Sequence, residues 1–281
     1  MSTTTEAPPV RRVEVGGQRL GYREAGDGPA VLLVHGWPTS SLLWRGVLPA
    51  IARTNRVVAI DLPGFGASDK PVAGRYDFPD FEDAIDGLLD HLGIERVALA
   101  GHDLGGPVVV HWALARPGRV TALALLNTLL YPDFSPAVRE FVTMLSTPGR
   151  REEATGPEGL AAIMRLGVAD DAHLPDDVLA GMLAPFATAD DRLALARAGI
   201  GLSPREFAAI AAGLSTLYVP VRVVYGEQDR ALPDVADTFA RLAKDVPAAT
   251  VTALAHCGHF LTLDDPGQVG ALLADFFERS N

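Results

Sequence analysis

Two rhythms of hydrophobic and polar positions alternate along this 281-residue chain. Val10 to Val15 and Arg19 to Glu24 are short alternating runs on either side of Gly16-Gly17, which predicts a β-hairpin. After Gly26-Asp27-Gly28-Pro29, the run Ala30 to Val34 is apolar at every position, as a strand covered on both faces must be. Similar runs recur at Arg56 to Ile60, Arg96 to Ala100, Val120 to Leu126, Val221 to Tyr225 and Thr250 to Leu254. Between them the period becomes helical: Ser41 to Ala52, then Phe81 to Leu92 with Phe81, Ile85, Leu88, Leu89 and Leu92 on one face, Pro107 to Leu114, Val235 to Leu242, and Val269 to Phe277. The last of these is announced by Asp265 as N-cap, Pro266 at the first position and Gln268 three residues after the cap. Strand and helix alternate, so the pattern predicts an α/β fold, a mostly parallel sheet covered by helices on both faces.

One interval departs from that rhythm. Residues 131–217 hold no strand-like run, only short helical candidates punctuated by Pro132, Pro136, Pro148, Pro157, Pro175, Pro185 and Pro204. Met144, Met164 and Met182 fall here with Phe134, Phe141, Phe186 and Phe207. This predicts a helical lid, or cap, inserted after the sixth strand with an apolar underside. The expected division is a disordered start at residues 1–9, a core at 10–130 and 218–281, and the lid at 131–217.

Composition narrows the setting. With 48% apolar residues the chain can fill a large core, and its formal charge of −11 argues against nucleic acid as a partner. A single cysteine, Cys257, precludes an internal disulfide framework and suits a reducing, cytoplasmic setting. The Thr- and Pro-rich start resembles no signal peptide, and no run approaches the ~18 apolar residues of a spanning helix, so no membrane association is expected.

The chemistry centres on Gly101-His102-Asp103-Leu104-Gly105-Gly106, where an apolar strand meets glycines and then a helical run. Gly-x-Asp-x-Gly is the spacing of a nucleophile elbow with aspartate in place of the commoner serine. Small neighbours let the chain turn sharply and lift the carboxylate above the sheet. Two further groups sit at carboxyl ends of strands: Asp229 after Val221 to Tyr225, and His259 after Thr250 to Leu254. Asp133 is a fallback for the acid, with uncharged Asn127 a poorer one. His256 and His259 lack further ligands at useful spacing, so no metal site is expected.

In the order nucleophile, acid, histidine, the sequence resembles an α/β hydrolase of the branch that holds haloalkane dehalogenases and soluble epoxide hydrolases. The carrying motifs are His35-Gly36-Trp37-Pro38-Thr39-Ser40-Ser41 with Leu43-Trp44-Arg45, Asp61-Leu62-Pro63-Gly64-Phe65-Gly66-Ala67-Ser68-Asp69, the elbow, Gly226 to Asp229, and Gly258-His259-Phe260. The resemblance implies Asp103 as nucleophile, His259 as base, Asp229 as its partner, and the backbone N–H groups of Trp37 and Leu104 as the oxyanion hole. His35 and His102 are expected to be structural. No cofactor is implied; the partners are a small apolar substrate and water.

A carboxylate that attacks saturated carbon forms an ester that water can split, so the expected electrophile is an alkyl halide or an epoxide. Asp103 has to be ionised to attack, which predicts solvation and N–H donors around it rather than dry burial. The dehalogenases the chain resembles place Trp after the nucleophile, where Leu104 stands, and the fluoroacetate-type relatives place Arg there. Epoxide hydrolases use lid tyrosines, yet none lies between Pro132 and Leu217; Tyr131 and Tyr218 stand at the hinges. Pro38 to Arg45 resembles the dehalogenase loop, which favours the halide. Trp37, Tyr131, Phe134 and Phe260 are the expected pocket residues, with the Trp37 indole N–H receiving the leaving group, and His173 is expected to be exposed beside Asp170 and Asp171. A non-catalytic ligand-binding protein on the same fold is the alternative class.

Overall fold

The structure is a computed structural model, and its described residues are 7–280, so most of the expected disordered stretch 1–9 lies outside them. The strands are β1 (Arg11–Val15), β2 (Gln18–Ala25), β3 (Ala30–Val34), β4 (Arg56–Ile60), β5 (Val97–His102), β6 (Val120–Leu126), β7 (Val221–Gly226) and β8 (Thr250–Leu254). They form one sheet in the order β1-β2-β4-β3-β5-β6-β7-β8, antiparallel from β1 to β4 across β2 and parallel elsewhere. Gly16 and Gly17 both take positive φ, 57° and 81°, which the two-residue hairpin between β1 and β2 requires.

The inner parallel strands are largely apolar because each feeds two cores; β8, at the sheet edge, departs from the expected covered run, since only Leu254 of it is buried. Leu32 and Val34 of β3 belong with Leu99, Leu123 and Val223 to the core on one face, whereas Val31 and Leu33 join Ala98, Ala124 and Val224 on the other. Each of the buried valines and leucines contributes about 1.5–3 kcal/mol by leaving water, so the alternation fixes strand register as well as stability. The helices α1 (Leu48–Ile51), α2 (Phe78–His91) and α3 (Gly105–Ala115) precede the expected insertion, and α10 (Val235–Asp245), α11 (Leu261–Asp264) and α12 (Pro266–Arg279) follow it. The Asp265 carboxylate accepts the Gln268 N–H at 2.8 Å, as an N-cap should.

One helix departs from expectation. Ser41 to Ala52 is not continuous: a 3-10 turn covers Ser41–Trp44 and α1 begins only at Leu48. Pro49, which has no N–H to give a preceding turn, sits at the start of α1 instead of inside a longer helix.

Between β6 and β7 there is no strand among the described residues. The segment carries α4 (Pro136–Ser146), α5 (Arg150–Thr155), α6 (Pro157–Gly167), α7 (Asp176–Leu183), α8 (Ala189–Ile200) and α9 (Pro204–Gly213). Its apolar residues divide between two tasks. Met164, Met182 and Phe186 are buried in the cores, and Phe134, Phe141, Met144 and Phe207 line a cavity.

Candidate active site

The elbow is built where β5 hands over to α3. Asp103 has φ of 51°, the left-handed region that costs an L residue about 1–2 kcal/mol, so its surroundings have to hold it there. They do so with little slack. The Asp103 N–H lies between the carbonyls of Leu126 (3.3 Å) and Asn127 (3.2 Å), and Thr128 Oγ1 donates to the Asp103 carbonyl at 2.6 Å. A Cβ at Gly105 would collide with the Val34 carbonyl oxygen, and one at Gly106 with the Thr128 side chain.

The loop after β3 supplies a donor. Trp37 N–H donates to Asp103 Oδ1 at 2.7 Å, and the Leu104 N–H at the head of α3 also stabilises the carboxylate. Behind this loop, Asp61 accepts the N–H groups of Ser41 (2.6 Å) and Ala67 (2.8 Å), so the two glycine-rich motifs of the sequence brace each other. His35 is buried within the same brace: its Nδ1 donates to the Gly36 carbonyl at 2.9 Å and its Nε2 accepts the Leu62 N–H at 3.1 Å.

His259 faces Asp103 from the loop after β8. Its Nδ1–H donates to Asp229 Oδ2 at 2.9 Å, leaving Nε2 with a lone pair 3.7 Å from Asp103 Oδ2. Burial disfavours the His259 cation, but the Asp229 charge, the hydrogen bond between them and Asp103 together raise its pKa above the usual imidazole value. Burial also disfavours the Asp229 anion, but the His259 charge, the His259 bond and the donors from Leu232 and Asn127 hold its pKa below the usual carboxylate range.

Asp103 departs from the expected solvated setting. Its side chain is only 19% exposed, and burial raises its pKa against the opposing pull of His259, Leu104 and Trp37. The reason is positional: it lies at the floor of an apolar cavity. The two N–H donors, which were expected, stand in for water.

Asn127 has a larger part than its lack of charge suggested. Fully buried, it donates from Nδ2 to Asp229 Oδ2 at 2.7 Å and accepts the Gly226 N–H on Oδ1 at 3.0 Å. It therefore braces Asp229 rather than taking its place beside His259. Asp133 is exposed and pairs with Arg241 at 2.9 Å. His102 is buried, its Nε2 donates to the His259 carbonyl at 2.9 Å, and burial drives its pKa down to about 3, so it stays neutral. His256 bonds Asp265 at 2.9 Å and takes no part.

Above the carboxylate lies a cavity of about 780 Å³. Its floor includes Trp37, Asp103, Leu104, His259 and Phe260, and its walls come from Phe134 before α4, from α4, α6 and α9, and from the end of α8, including Val138, Phe141, Met144, Ile163, Ile200 and Phe207. Two expected pocket roles are corrected. The Trp37 ring lines the cavity, but its indole N–H donates to the Leu195 carbonyl of α8 at 3.0 Å, and that bond turns it away from a leaving group. Tyr131 does not line it; its hydroxyl donates to Asp245 at 2.7 Å under the Arg241 guanidinium, 3.8 Å from the ring centroid, which draws it to α10. Tyr218, at the other hinge, is 92% exposed. Among the lining residues there is no tyrosine and no asparagine, and the one hydroxyl, Thr143 Oγ1, donates within α4 to the Arg139 carbonyl at 2.8 Å.

Comparison with known proteins follows the same lines. The family described as alpha/beta hydrolase fold matches residues 29–155. A haloalkane dehalogenase of Mesorhizobium japonicum is 31% identical over 286 aligned residues, covering 96% of this chain and 91% of that protein. A 2-hydroxy-6-oxononadienedioate/2-hydroxy-6-oxononatrienedioate hydrolase of Pseudomonas putida is 29% identical, covering 93% and 92%. The crystal structure of a haloalkane dehalogenase from Bradyrhizobium elkani superposes with a TM-score of 0.85 at 27% identity, covering 97% of this chain and 98% of that one. An epoxide hydrolase structure, at 23% identity and a TM-score of 0.83, shares the fold.

Proposed function

This chain belongs to the α/β-hydrolase superfamily, on the branch of the haloalkane dehalogenases and epoxide hydrolases, and we propose that it hydrolyses an apolar alkyl halide through an ester formed on Asp103. One observation carries the reading: a carboxylate at the elbow that receives Trp37 N–H on one oxygen at 2.7 Å and faces a histidine backed by a second carboxylate at 2.9 Å on the other.

In the first step Asp103 Oδ2 attacks a saturated carbon in line with its halide; the carbon–halogen bond breaks with its electron pair and a C–O bond forms. Oδ1 becomes the ester carbonyl oxygen, already seated against the Trp37 N–H. In the second step His259 Nε2 takes a proton from water as the oxygen attacks Asp103 Cγ, and charge develops on Oδ1 between the N–H groups of Trp37 and Leu104. Collapse breaks the Cγ–Oδ2 bond, the departing alkoxide takes the proton from His259, and the alcohol leaves. Asp229 keeps the imidazole oriented and stabilises its cation, with Asn127, Ala231 and Leu232 donating to it.

The leaving group favours halide over epoxide. An epoxide oxygen departs as an alkoxide that needs a proton donor, and the cavity wall offers no phenol. Halide ions are stable without one. The apolar helices of 131–217 act in this reading as a lid that keeps bulk water from the ester and selects by shape.

A single turnover in heavy-oxygen water tests the route. Label is expected first in the Asp103 carboxylate, with unlabelled oxygen in the first alcohol released. Label found directly in that alcohol and absent from the protein overturns the reading.

A further inference from the structure

Of the buried carboxylates that the mechanism leaves unused, one lies beside the His259 loop. Asp264, on α11, has a fully buried side chain and accepts from two directions. Its Oδ2 takes the N–H of Gly258, next to His259, at 2.7 Å. Its Oδ1 takes the Ala169 N–H at 2.9 Å and His173 Nδ1 at 2.8 Å, both from the stretch between α6 and α7. His173 is therefore not free beside Asp170 and Asp171 but tethered to the core.

The two stretches bridged by Asp264 lie backbone against backbone. Phe260 N–H donates to the Gly167 carbonyl at 2.9 Å, Arg230 donates to the Val168 carbonyl at 2.6 Å, and a Cβ at Gly258 would stand 2.8 Å from the Gly167 oxygen. The peptide that follows His259 is held at both ends, its carbonyl by His102 and its N–H by Gly167, and the peptide before Gly258 is held by Asp264. Moving residues 167–173 relative to the core therefore pulls on the backbone that carries the imidazole.

We propose that Asp264 is a positioning residue that couples the helical insertion to His259, so that ester hydrolysis, and not ester formation, depends on it. The inference rests on the aspartyl-ester reading above. Attack by Asp103 requires its own elbow and the Trp37 loop, neither of which Asp264 touches. Removal of the water proton requires Nε2 to stand over Cγ, and that depends on the strap from Gly258 to Phe260.

The test is D264N with 1-bromohexane as the alkyl probe, read by rapid-quench bromide release and intact-protein mass. Adduct formation is expected to stay within about twofold of wild type, while adduct decay slows roughly tenfold, the effect of losing one charge-assisted hydrogen bond. H173A, which removes only the insertion's side-chain partner, is expected to slow the same step by a smaller factor with its melting temperature little changed. Equal loss in both steps, or unchanged decay in D264N, overturns the proposal. H259Q is the control: if it accumulates no adduct with this probe, the ester reading has failed. Asp264 is then judged by the low-field proton resonance of His259 Nδ1, expected to shift or broaden in D264N and in H173A. A resonance unchanged in both overturns the coupling on its own.

Discussion

Replacing Asn127 with alanine probes the support of the acid more sharply than altering the acid itself. The amide joins two buried groups, donating to Asp229 Oδ2 at 2.7 Å and accepting Gly226 N–H at 3.0 Å. Its removal deletes a hydrogen bond to a charged group, about 1.5–3 kcal/mol, and leaves the Gly226 N–H unpaired, about 1–3 kcal/mol. With partial relaxation of the strand ends the expected loss is about 3 kcal/mol, or roughly 6–12 °C in Tm for a domain of this size. Urea unfolding at pH 7 with an unchanged slope gives the measurement. N127D separates hydrogen bonding from volume, because it is isosteric but sets a second carboxylate against Asp229. The pKa of one of the two is then raised in the folded state, so N127D loses stability above that pKa and regains it as pH falls through it. A loss below about 1 kcal/mol in N127A, or an N127D deficit that does not shrink on acidification, would refute the assigned bonds.

Three further outcomes follow from the same geometry. H259Q keeps the first step and loses the base, so an alkyl adduct on Asp103 should persist in the mass spectrum, with turnover lower by roughly 10²–10⁴. Since Asp229 lifts the pKa of His259 above its ordinary 6.5 and the neutral form is the base, kcat should rise with pH along a limb centred above 6.5; a limb centred below it would contradict the assignment. W37F removes the donor to the buried Leu195 carbonyl but nothing from the reacting atoms, so first-step rates should hold while stability falls by about 1–2 kcal/mol; a collapse of the first step would return the indole to the chemistry.

Sequence was most informative where one residue's surroundings are set by its own strand. Strands such as Ala30–Val34 betray themselves because both faces are buried; Asp103 is visible because it follows such a strand directly, and Asp229 and His259 because each lies in a short turn just beyond a strand end. Side chains whose partners come from distant elements were not visible. The Trp37 ring does line the cavity, but its indole N–H, expected to face it, is claimed by a carbonyl 158 residues away. Tyr131 was expected to reach the pocket, but Asp245 and Arg241 hold it elsewhere. Asn127 ranks low as an acid for lack of charge, yet its position one residue past β6, beside the end of β7, is a usable signal of a bracing role. Asp264 and His173 left no local trace, since helical periodicity tells which face is apolar and not which loop it will meet.

The packing around Gly101, Gly105 and Gly106 leaves no room for a methyl group at any of the three, while the side chain of residue 103 reaches the cavity. The tip of that side chain can therefore be exchanged with less disturbance than the three glycines that frame it. Two relatives about equally distant from this chain bear the names of quite different reactions, as such a division of freedom leads one to expect.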